Sequence, residues 1–421
     1  MKLKGKISLP LFGSEYHSSQ DSTYRGGSEL NENFEQLLEK AVANIAIGVS
    51  YKFATGTSGN SGRNRVDIWS ALVKESFPFA YHTTPELSII HKGDVKDIQF
   101  WGRDILMTAS GNGSVNLFDI SSPTFDKTAH LLCRYQAHDK FYGGCSKVKP
   151  NPSLGVPFLE QFTLNSGSQY FNYRGGSILS SGYDGSLVLY ELEVNKVTHK
   201  RKGIATCIND FAWFTPNLAS LACSLGQMKL ADLRSPRIST FMIDQKGNLN
   251  SHVGDFLSIS QHQTQPFIFA GGTSTGGIAV FDIRYSGTDS SSSLSYIPSL
   301  HQRPVQKVQF CAANPEFLIS SSEDGLSLLS CWKRESCPKF SRSMASGKGD
   351  WFPYQPSKST RYQGSCPRSF FRTIAAEPNI SSVNPFFMDM HPITGLLLTS
   401  YKSSIKLQHV IPPVRPDPRL D

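Results

Sequence analysis

The chain of 421 residues carries 42 Lys and Arg against 34 Asp and Glu, a net charge of +8, with 39% apolar and only 18% charged residues. Much of the remainder is Ser, Thr, Asn, Gln and Gly, and with 24 prolines and 34 glycines this favours many short strands joined by turns over long charged helices. No run reaches the roughly 20 apolar residues of a membrane helix. The apolar run of MKLKGKISLPLFG is short and broken by Pro10, unlike a secretory leader. The eight cysteines include no CxxC pair or zinc spacing, so the expectation is a soluble, intracellular chain with reduced thiols.

The chain is expected to divide into an N-terminal segment (1–45), a body (46–410) and a C-terminal tail (411–421). KISLPLF, Lys6 to Phe12, reads as a strand that completes the last repeat of the body. NENFEQLLEKAVANIA, Asn31 to Ala46, places Phe34, Leu37, Leu38, Ala41, Val42 and Ile45 at helical spacing behind an Asn31 cap. That helix either packs on the body or binds a partner.

The body repeats one unit. A first copy runs from Ala46 through YKFATGTSGNSGRNRVDIWS to Trp69. HKGDVKDIQF from His91 precedes LMTASGNGSVNLFD, which turns at Asn112-Gly113. ILSSGYDGSLVLY turns at Asp184-Gly185 and ends at Tyr190. INDFAWF precedes LACSLGQMKLAD, a worn copy turning at Gly226-Gln227, and FLSIS precedes FAGGTSTGGIAVFD, turning at Gly276-Gly277. VQKVQF precedes ISSSEDGLSLLSCW, turning at Asp324-Gly325 and ending at Trp332. A last copy, Asn384 to Val410, turns at His391-Pro392. Asp-Gly, Asn-Gly and Gly-Gly suit two-residue hairpin turns whose central residues both take positive φ, and the flanking alternation turns one face of each strand to a core. Glu323 and Asp324 therefore read as turn residues, not catalytic acids. Histidines His91, His199, His252 and His301 lie shortly before several units.

Long inserts are expected at about 139–175, 284–299 (within which lies RYSGTDSSSSLSY) and 333–380. KFYGG at Lys140 and KGDWFPYQP at Lys348 carry aromatics that either cover their own repeat or dock on a partner. The densest basic cluster, HKRKG from His199 to Gly203, lacks the aromatic interleaving that stacks bases. It reads as a solvated loop or a contact for an acidic protein.

The repeating unit (histidine, strand, Pro-containing turn, strand, Asp-Gly turn, strand ending in an aromatic or Asp) resembles the WD-repeat β-propeller family, whose units run to about 40–45 residues. The fold expected is all-β: a seven-bladed WD-repeat β-propeller with an N-terminal helical segment and long inter-blade inserts. Its copies end near Trp69, Phe118, Tyr190, Asp232, Asp282, Trp332 and Leu407. In that family a histidine, a small hydroxyl residue, the turn Asp and a terminal Trp can form a buried hydrogen-bonded chain. The resemblance implies His301, Ser321, Asp324 and Trp332 as the best such set. It implies His91, Asn112, Gly113, Asp184, Gly185, Gly276, Gly277, Gly325 and Trp69 as further blade-turn and core residues, all structural.

FATGTSGNSGRNRVDIWS, HKGDVKDIQFWGRDILMTASGNGSVNLF, NPEFLISSSEDGLSLLSCW and SSVNPFFMDMHPITGLLLTS resemble the WD-repeat nucleoporins of the Y-shaped nuclear pore scaffold. That resemblance implies a non-catalytic scaffold, held as a monomer among helical-solenoid and propeller nucleoporins. It implies residence in the nucleus, at nuclear envelope pores and, in mitosis, at kinetochores, with support for protein and mRNA transport. No cofactor, metal, direct nucleic-acid contact or membrane insertion is expected. The segment through Ala46 and the insert after Trp332 depart from the pattern, so contacts made there do not carry over. ADLR (Ala231 to Arg234) and FDIR (Phe281 to Arg284) resemble the Asp-x-Arg boxes of propellers that serve cullin-RING ubiquitin ligases as substrate receptors, which is the alternative. An aromatic cage for methyl-lysine at the central channel stays open. No phosphate loop or nucleophile elbow appears, and the partner-binding residues are not legible.

Overall fold

Short strands dominate the computed structural model, as the Gly- and Ser-rich composition requires. It describes residues 7–8 and, from 50 to 409, all but 60–63, 74–80, 103, 122–127, 152–157, 164–168, 175, 236–237, 243–253, 284–293, 298–299, 312–316, 335–350, 354–370, 377–385, 391–395 and 402–403. The expected helix at 31–46, His252, the Ser-rich stretch, the His391-Pro392 turn and the C-terminal tail lie outside the described residues.

Seven antiparallel sheets, the blades, follow one another in chain order. Blade 1 holds β1 (Ile7–Ser8), β2 (Ser50–Gly56), β3 (Asn64–Val73) and β4 (Tyr81–His91). Blade 2 holds β5 (Val95–Trp101), β6 (Ile105–Ser110), β7 (Ser114–Asp119) and β8 (His130–Gln136). A 3-10 turn at Lys140–Tyr142 leads to blade 3, which starts at β9 (Cys145–Pro150). A separate hairpin, β10 (Phe158–Thr163) with β11 (Gln169–Arg174), interrupts blade 3 before β12 (Ser177–Gly182), β13 (Leu187–Glu191) and β14 (Lys196–Arg201). Blade 4 holds β15 (Ile208–Thr215), β16 (Leu218–Cys223), β17 (Gln227–Asp232) and β18 (Ile238–Met242). Blade 5 holds β19 (Phe256–Gln261), β20 (Ile268–Thr273), β21 (Ile278–Asp282) and β22 (Leu294–Ile297). Blade 6 holds β23 (Val305–Phe310), β24 (Phe317–Ser322) and β25 (Leu326–Arg334), with β26 (Trp351–Pro353) and β27 (Phe371–Ala376) both paired to β25. Blade 7 holds β28 (Phe386–Met390), β29 (Leu396–Tyr401) and β30 (Ser404–His409).

The first strand of each blade lies beside the first strand of the next, from β1 through β5, β9, β15, β19, β23 and β28 back to β1, so the ring closes on itself. The fold is an all-β, seven-bladed propeller of the WD-repeat kind.

One expectation is corrected here. The N-terminal strand does not pair with the last blade. Ile7 faces Thr55 and Ser8 faces Ala54, which makes β1 the innermost strand of blade 1. Blade 7 already brings its own inner strand, β28, whereas β2 would otherwise present an open edge to the channel.

Burial peaks on the second strands, between half-buried inner strands at the channel and exposed outer ones, and this revises the expected one-faced alternation. The second strands β6, β12 and β20 are buried at every position, because each blade is covered on both faces by its neighbours. The outer strands β8 and β14 are largely exposed. Apolar clusters fill the seams between consecutive blades. Ile98, Leu106 and Phe118 join Ile68 across blades 1 and 2, and Phe256, Phe269 and Phe281 join Met228 across blades 4 and 5.

Stretches expected as inserts supply framework strands. β9, within 139–175, is the inner strand of blade 3, and β22 and β27 are outer strands within 284–299 and 333–380.

Candidate functional site

The hairpin turns between second and third strands are built differently from the expected mirror-image turn. Gly113 N–H donates to Ser110 O at 2.9 Å, Gly185 N–H to Gly182 O at 3.1 Å, and Gly325 N–H to Ser322 O at 3.2 Å. Only the glycine of each Asx-Gly pair has positive φ, 89° at Gly113, 67° at Gly185 and 80° at Gly325. These are ordinary turns followed by a left-handed glycine, as in three-residue hairpin loops. Asn112, Asp184 and Asp324 are thereby free to accept the N–H two residues on, from Ser114, Ser186 and Leu326 at 2.9, 3.1 and 3.0 Å. In blade 5, Gly276 (φ 89°) donates its N–H to Thr273 O at 3.2 Å, and Gly277 N–H donates to Thr273 Oγ1 at 2.9 Å. Blade 4 turns one residue earlier than expected, at Leu225-Gly226, and there both central residues have positive φ, 61° and 65°.

The left-handed glycine also fixes a histidine. Gly276 O accepts the backbone N–H of His301 at 2.9 Å, and Gly113 O accepts that of His138 at 3.0 Å. A Cβ on Gly276 would stand 2.1 Å from His301 O. Each histidine then inserts its ring into the following blade.

In blade 6, His301 Nδ1 lies 3.1 Å from Asp324 Oδ2 and Nε2 lies 2.9 Å from Ser320 Oγ. A carboxylate only accepts, so Nδ1 carries the hydrogen. Asp324 also takes the N–H of Gln302 at 3.0 Å. Burial pushes its carboxyl up, but these donors outweigh that and hold it below the usual range.

Two members of the expected set therefore change. The hydroxyl partner is Ser320, while Ser321 Oγ is buried with no hydrogen-bond partner among the described residues. Trp332 is out of register. Ser320 pairs with Leu328, which puts Ser330 at the place that Trp69 occupies in blade 1, where Thr55 pairs with Asp67. Ser330 Oγ donates to Leu318 O at 3.1 Å, and Trp332 pairs through its backbone with Pro353 of β26. Trp69 itself donates from Nε1 to Thr55 Oγ1 at 3.0 Å and stacks on Phe53.

Blade 3 holds a second set, centred on His138. Its Nδ1 meets Asp184 Oδ1 at 3.1 Å and Ser186 Oγ at 2.9 Å, and its Nε2 meets Ser180 Oγ at 3.0 Å. Burial would raise the Asp184 carboxyl, yet the hydrogen bonds of His138, Ser186 and the Asp139 N–H hold it well below the carboxylate range. His138 was missed because it lies 46 residues before Asp184, against 23 between His301 and Asp324. The inserted hairpin stretches that interval. His199, singled out instead, sits inside β14 opposite Leu189.

Blade 2 replaces the carboxylate by an amide. Asn112 Nδ2 donates to Lys92 O at 2.9 Å, and His91 turns Nδ1 to Gly93 O at 3.0 Å while Nε2 meets Thr108 Oγ1 at 3.0 Å. Burial lowers the His91 pKa. In blade 5, Gly271 takes the place of the hydroxyl residue, two positions after Phe269 of the Phe269–Phe281 pair, and Phe256 packs edge-on to Phe281 at 5.5 Å.

Around the channel, inner-strand side chains cross-link neighbouring blades. Lys147 Nζ lies 2.9 Å from Asp97 Oδ1, and Asp97 Oδ2 accepts the Val148 N–H at 3.2 Å. Lys149 Nζ lies 3.2 Å from Asp210 Oδ1, and Asp210 Oδ2 accepts the Ile259 N–H at 3.2 Å. Ser146 Oγ donates to Ile208 O at 2.7 Å, and the Phe310 N–H donates to Ser260 Oγ at 3.1 Å. Burial works against the ionised Asp210, but Lys149, Lys147 and Lys307 hold it down to about 2. Lys147 is raised, the attraction of Asp97 and Asp210 outweighing burial. A cavity of about 210 Å³ at the channel mouth is lined by Lys96, Lys147 and Lys307, with Tyr183 its one aromatic among the described residues. Asp97 and Asp389 line it too, paired with Lys147 and Lys307, and a single aromatic ring does not make a cage.

Two cysteines are not poised for chemistry. Burial raises the Cys207 thiol to about 11 and Cys223 to about 12, opposite to an activated nucleophile. Among the described residues no group of three or more His, Cys, Asp or Glu is placed to hold a metal, and no helix is long and apolar enough to cross a membrane. Arg234 of the first Asp-x-Arg box folds back onto Asp232, with Nε and Nη2 at 3.1 and 3.0 Å from its two oxygens. Arg284 lies outside the described residues.

The chain is similar to nucleoporin Nup43. It is 25% identical to the Homo sapiens protein over 286 residues, covering 65% of this chain and 67% of the relative. With the Mus musculus protein it shares 24% over 296 residues, covering 68% and 70%. No protein-family model matches the sequence.

Proposed function

We propose that this chain is a non-catalytic scaffold subunit of the nuclear pore. It occupies a place in the Y-shaped complex beside a helical-solenoid nucleoporin and supports transport of protein and mRNA. The observation that carries this reading is similarity to Nup43 over about two thirds of both chains, on a propeller whose buried polar groups are spent on holding blades together. A closed ring suits the role, since it offers two faces and a rim to several partners without deforming.

Endogenous tagging with affinity purification and live imaging tests this. The expected result is a nuclear-envelope rim and stoichiometric recovery of a solenoid nucleoporin, with kinetochore signal in mitosis. A diffuse signal, or recovery of a ubiquitin-ligase adaptor in place of nucleoporins, refutes it. The ligase reading rests on ADLR and FDIR; the Arg234 guanidinium of the first is already engaged by its own Asp232, and Arg284 of the second lies outside the described residues.

A further inference from the structure

We propose that the cleft between blades 2 and 3, on the face that carries the histidine networks, docks an acidic peptide segment bearing an aromatic or aliphatic side chain. The inference does not depend on which assembly the protein serves.

Two features far apart in sequence meet there. The 3-10 turn Lys140–Tyr142 presents Phe141 and Tyr142 to solvent, 84% and 67% exposed. From the other side, the end of β14 brings Lys200 and Lys202, from the densest basic cluster of the chain. With Lys140 they line a cleft of about 750 Å³. Two adjacent large aromatics left in water are costly in a monomer and typical of an interface.

The backbone that carries the aromatics is pinned. Asp139 Oδ1 accepts the Phe141 N–H at 2.9 Å, Gly143 N–H donates to Lys140 O at 3.2 Å, and Gly144 N–H donates to Asp139 O at 3.1 Å. Lys140 Nζ sits 5.0 Å from the Phe141 ring centroid, and Lys200 Nζ donates to Ala137 O at 2.7 Å. Little ordering cost remains for a ligand to meet.

Charge selects the occupant. Asp139 and Asp184 also line the cleft, but Asp184 is occupied by His138, Ser186 and the Asp139 N–H, and Asp139 by the Phe141 N–H. Three ammonium groups thus stand against two engaged carboxylates, in a chain of net charge +8. A peptide can set its carboxylates on the lysines and keep its apolar side chain between the rings. A continuous phosphate backbone would have to run past both aspartates.

A random-peptide display library selected on the full chain tests this. Enriched sequences should be acidic and contain Phe, Tyr, Trp or Leu. A synthetic enriched peptide, followed by fluorescence anisotropy, should bind at least about tenfold more weakly to Phe141→Ser/Tyr142→Ser and to Lys200→Glu/Lys202→Glu. Neutral or basic enrichment, or binding that both variants retain, overturns the proposal. So does fluorescein-labelled oligouridine that binds more tightly than the peptide and is lost in the same variants. If the aromatic variant unfolds, the lysine variant, changed on an outer strand, decides.

Discussion

His262 should make this propeller lose stability on mild acidification. The residue follows β19 with 2% of its surface exposed, and its ring packs edge-on against Phe310 at 4.9 Å. Its Nδ1 accepts the Gln265 N–H at 3.1 Å, so the native state uses the neutral ring as an acceptor. Burial pulls its pKa from 6.5 down to about 4. Between those values the unfolded chain binds a proton that the folded chain refuses. The stabilisation is therefore complete above pH 6.5 and is lost as pH falls toward the folded value.

For a shift from 6.5 to about 4, the loss between pH 7 and pH 5 comes to about 2 kcal/mol, at roughly 1.4 kcal/mol per pKa unit. His262→Asn keeps an acceptor near the Nδ1 position and does not titrate. It forfeits ring packing by a constant amount but removes the slope. Urea unfolding followed by tryptophan fluorescence across this range should give curves for wild type and variant that converge as pH falls. Parallel curves would refute the assignment of a buried neutral ring.

Ser320→Ala should cost about 1–2 kcal/mol by leaving His301 Nε2 unpaired, whereas Ser321→Ala should stay within about 0.5 kcal/mol or stabilise, because that buried hydroxyl has no partner among the described residues. Urea midpoints of the two variants distinguish these registers directly. Gly276→Ala should cost at least about 3 kcal/mol, combining the strain of a left-handed alanine with a collision at His301 O, and should appear as a large drop in Tm or as insoluble protein. Leu225→Asn should raise stability by about 1 kcal/mol, since φ at this exposed position is 61° and Asn tolerates it better; calorimetry showing no gain would count against strain there.

The turns were the most legible part of the sequence, because Asn-Gly and Asp-Gly are local signals that survive tertiary packing. Strand β9 was not, and the reason is electrostatic. CSKVKP carries Lys147 and Lys149 where alternation would call for apolar or solvated residues, and the channel partners Asp97 and Asp210 explain how Lys147 is buried and Lys149 half-buried. Outer strands such as β14, KVTHKR, pack too little to show a pattern. In blade 6 the terminal tryptophan misled the register. A strand reads with period two, so the choice between Ser320 and Ser321 selects opposite faces, and Trp332 is two residues beyond the position that decides it. The KFYGG and HKRKG motifs were both visible, but nothing local could show that they line one cleft.

The seams between blades are not equivalent, and the difference bears on where a partner is best bound. Blade 5 meets blade 4 through packed phenylalanines and through hydrogen bonds to backbone groups, Ile259 N–H to Asp210 Oδ2 at 3.2 Å and Asn209 Nδ2 to Phe256 O at 2.7 Å. Blade 3 is tied to blade 2 by Lys147–Asp97 and by His138, whose backbone belongs to one blade and whose ring to the next. It is tied to blade 4 by Lys149–Asp210 and Ser146. A buried ion pair adds little net stability once desolvation is counted, but it penalises every misaligned arrangement that strands a charge. Blade 3 is also the blade interrupted by the longest described excursion, the β10–β11 hairpin, and flanked by the exposed aromatic turn. Loops grown from a blade anchored on both sides keep their geometry when a load is applied to them. The polar links around blade 3 thus hold the blade from whose opposite ends the hairpin and the aromatic turn extend.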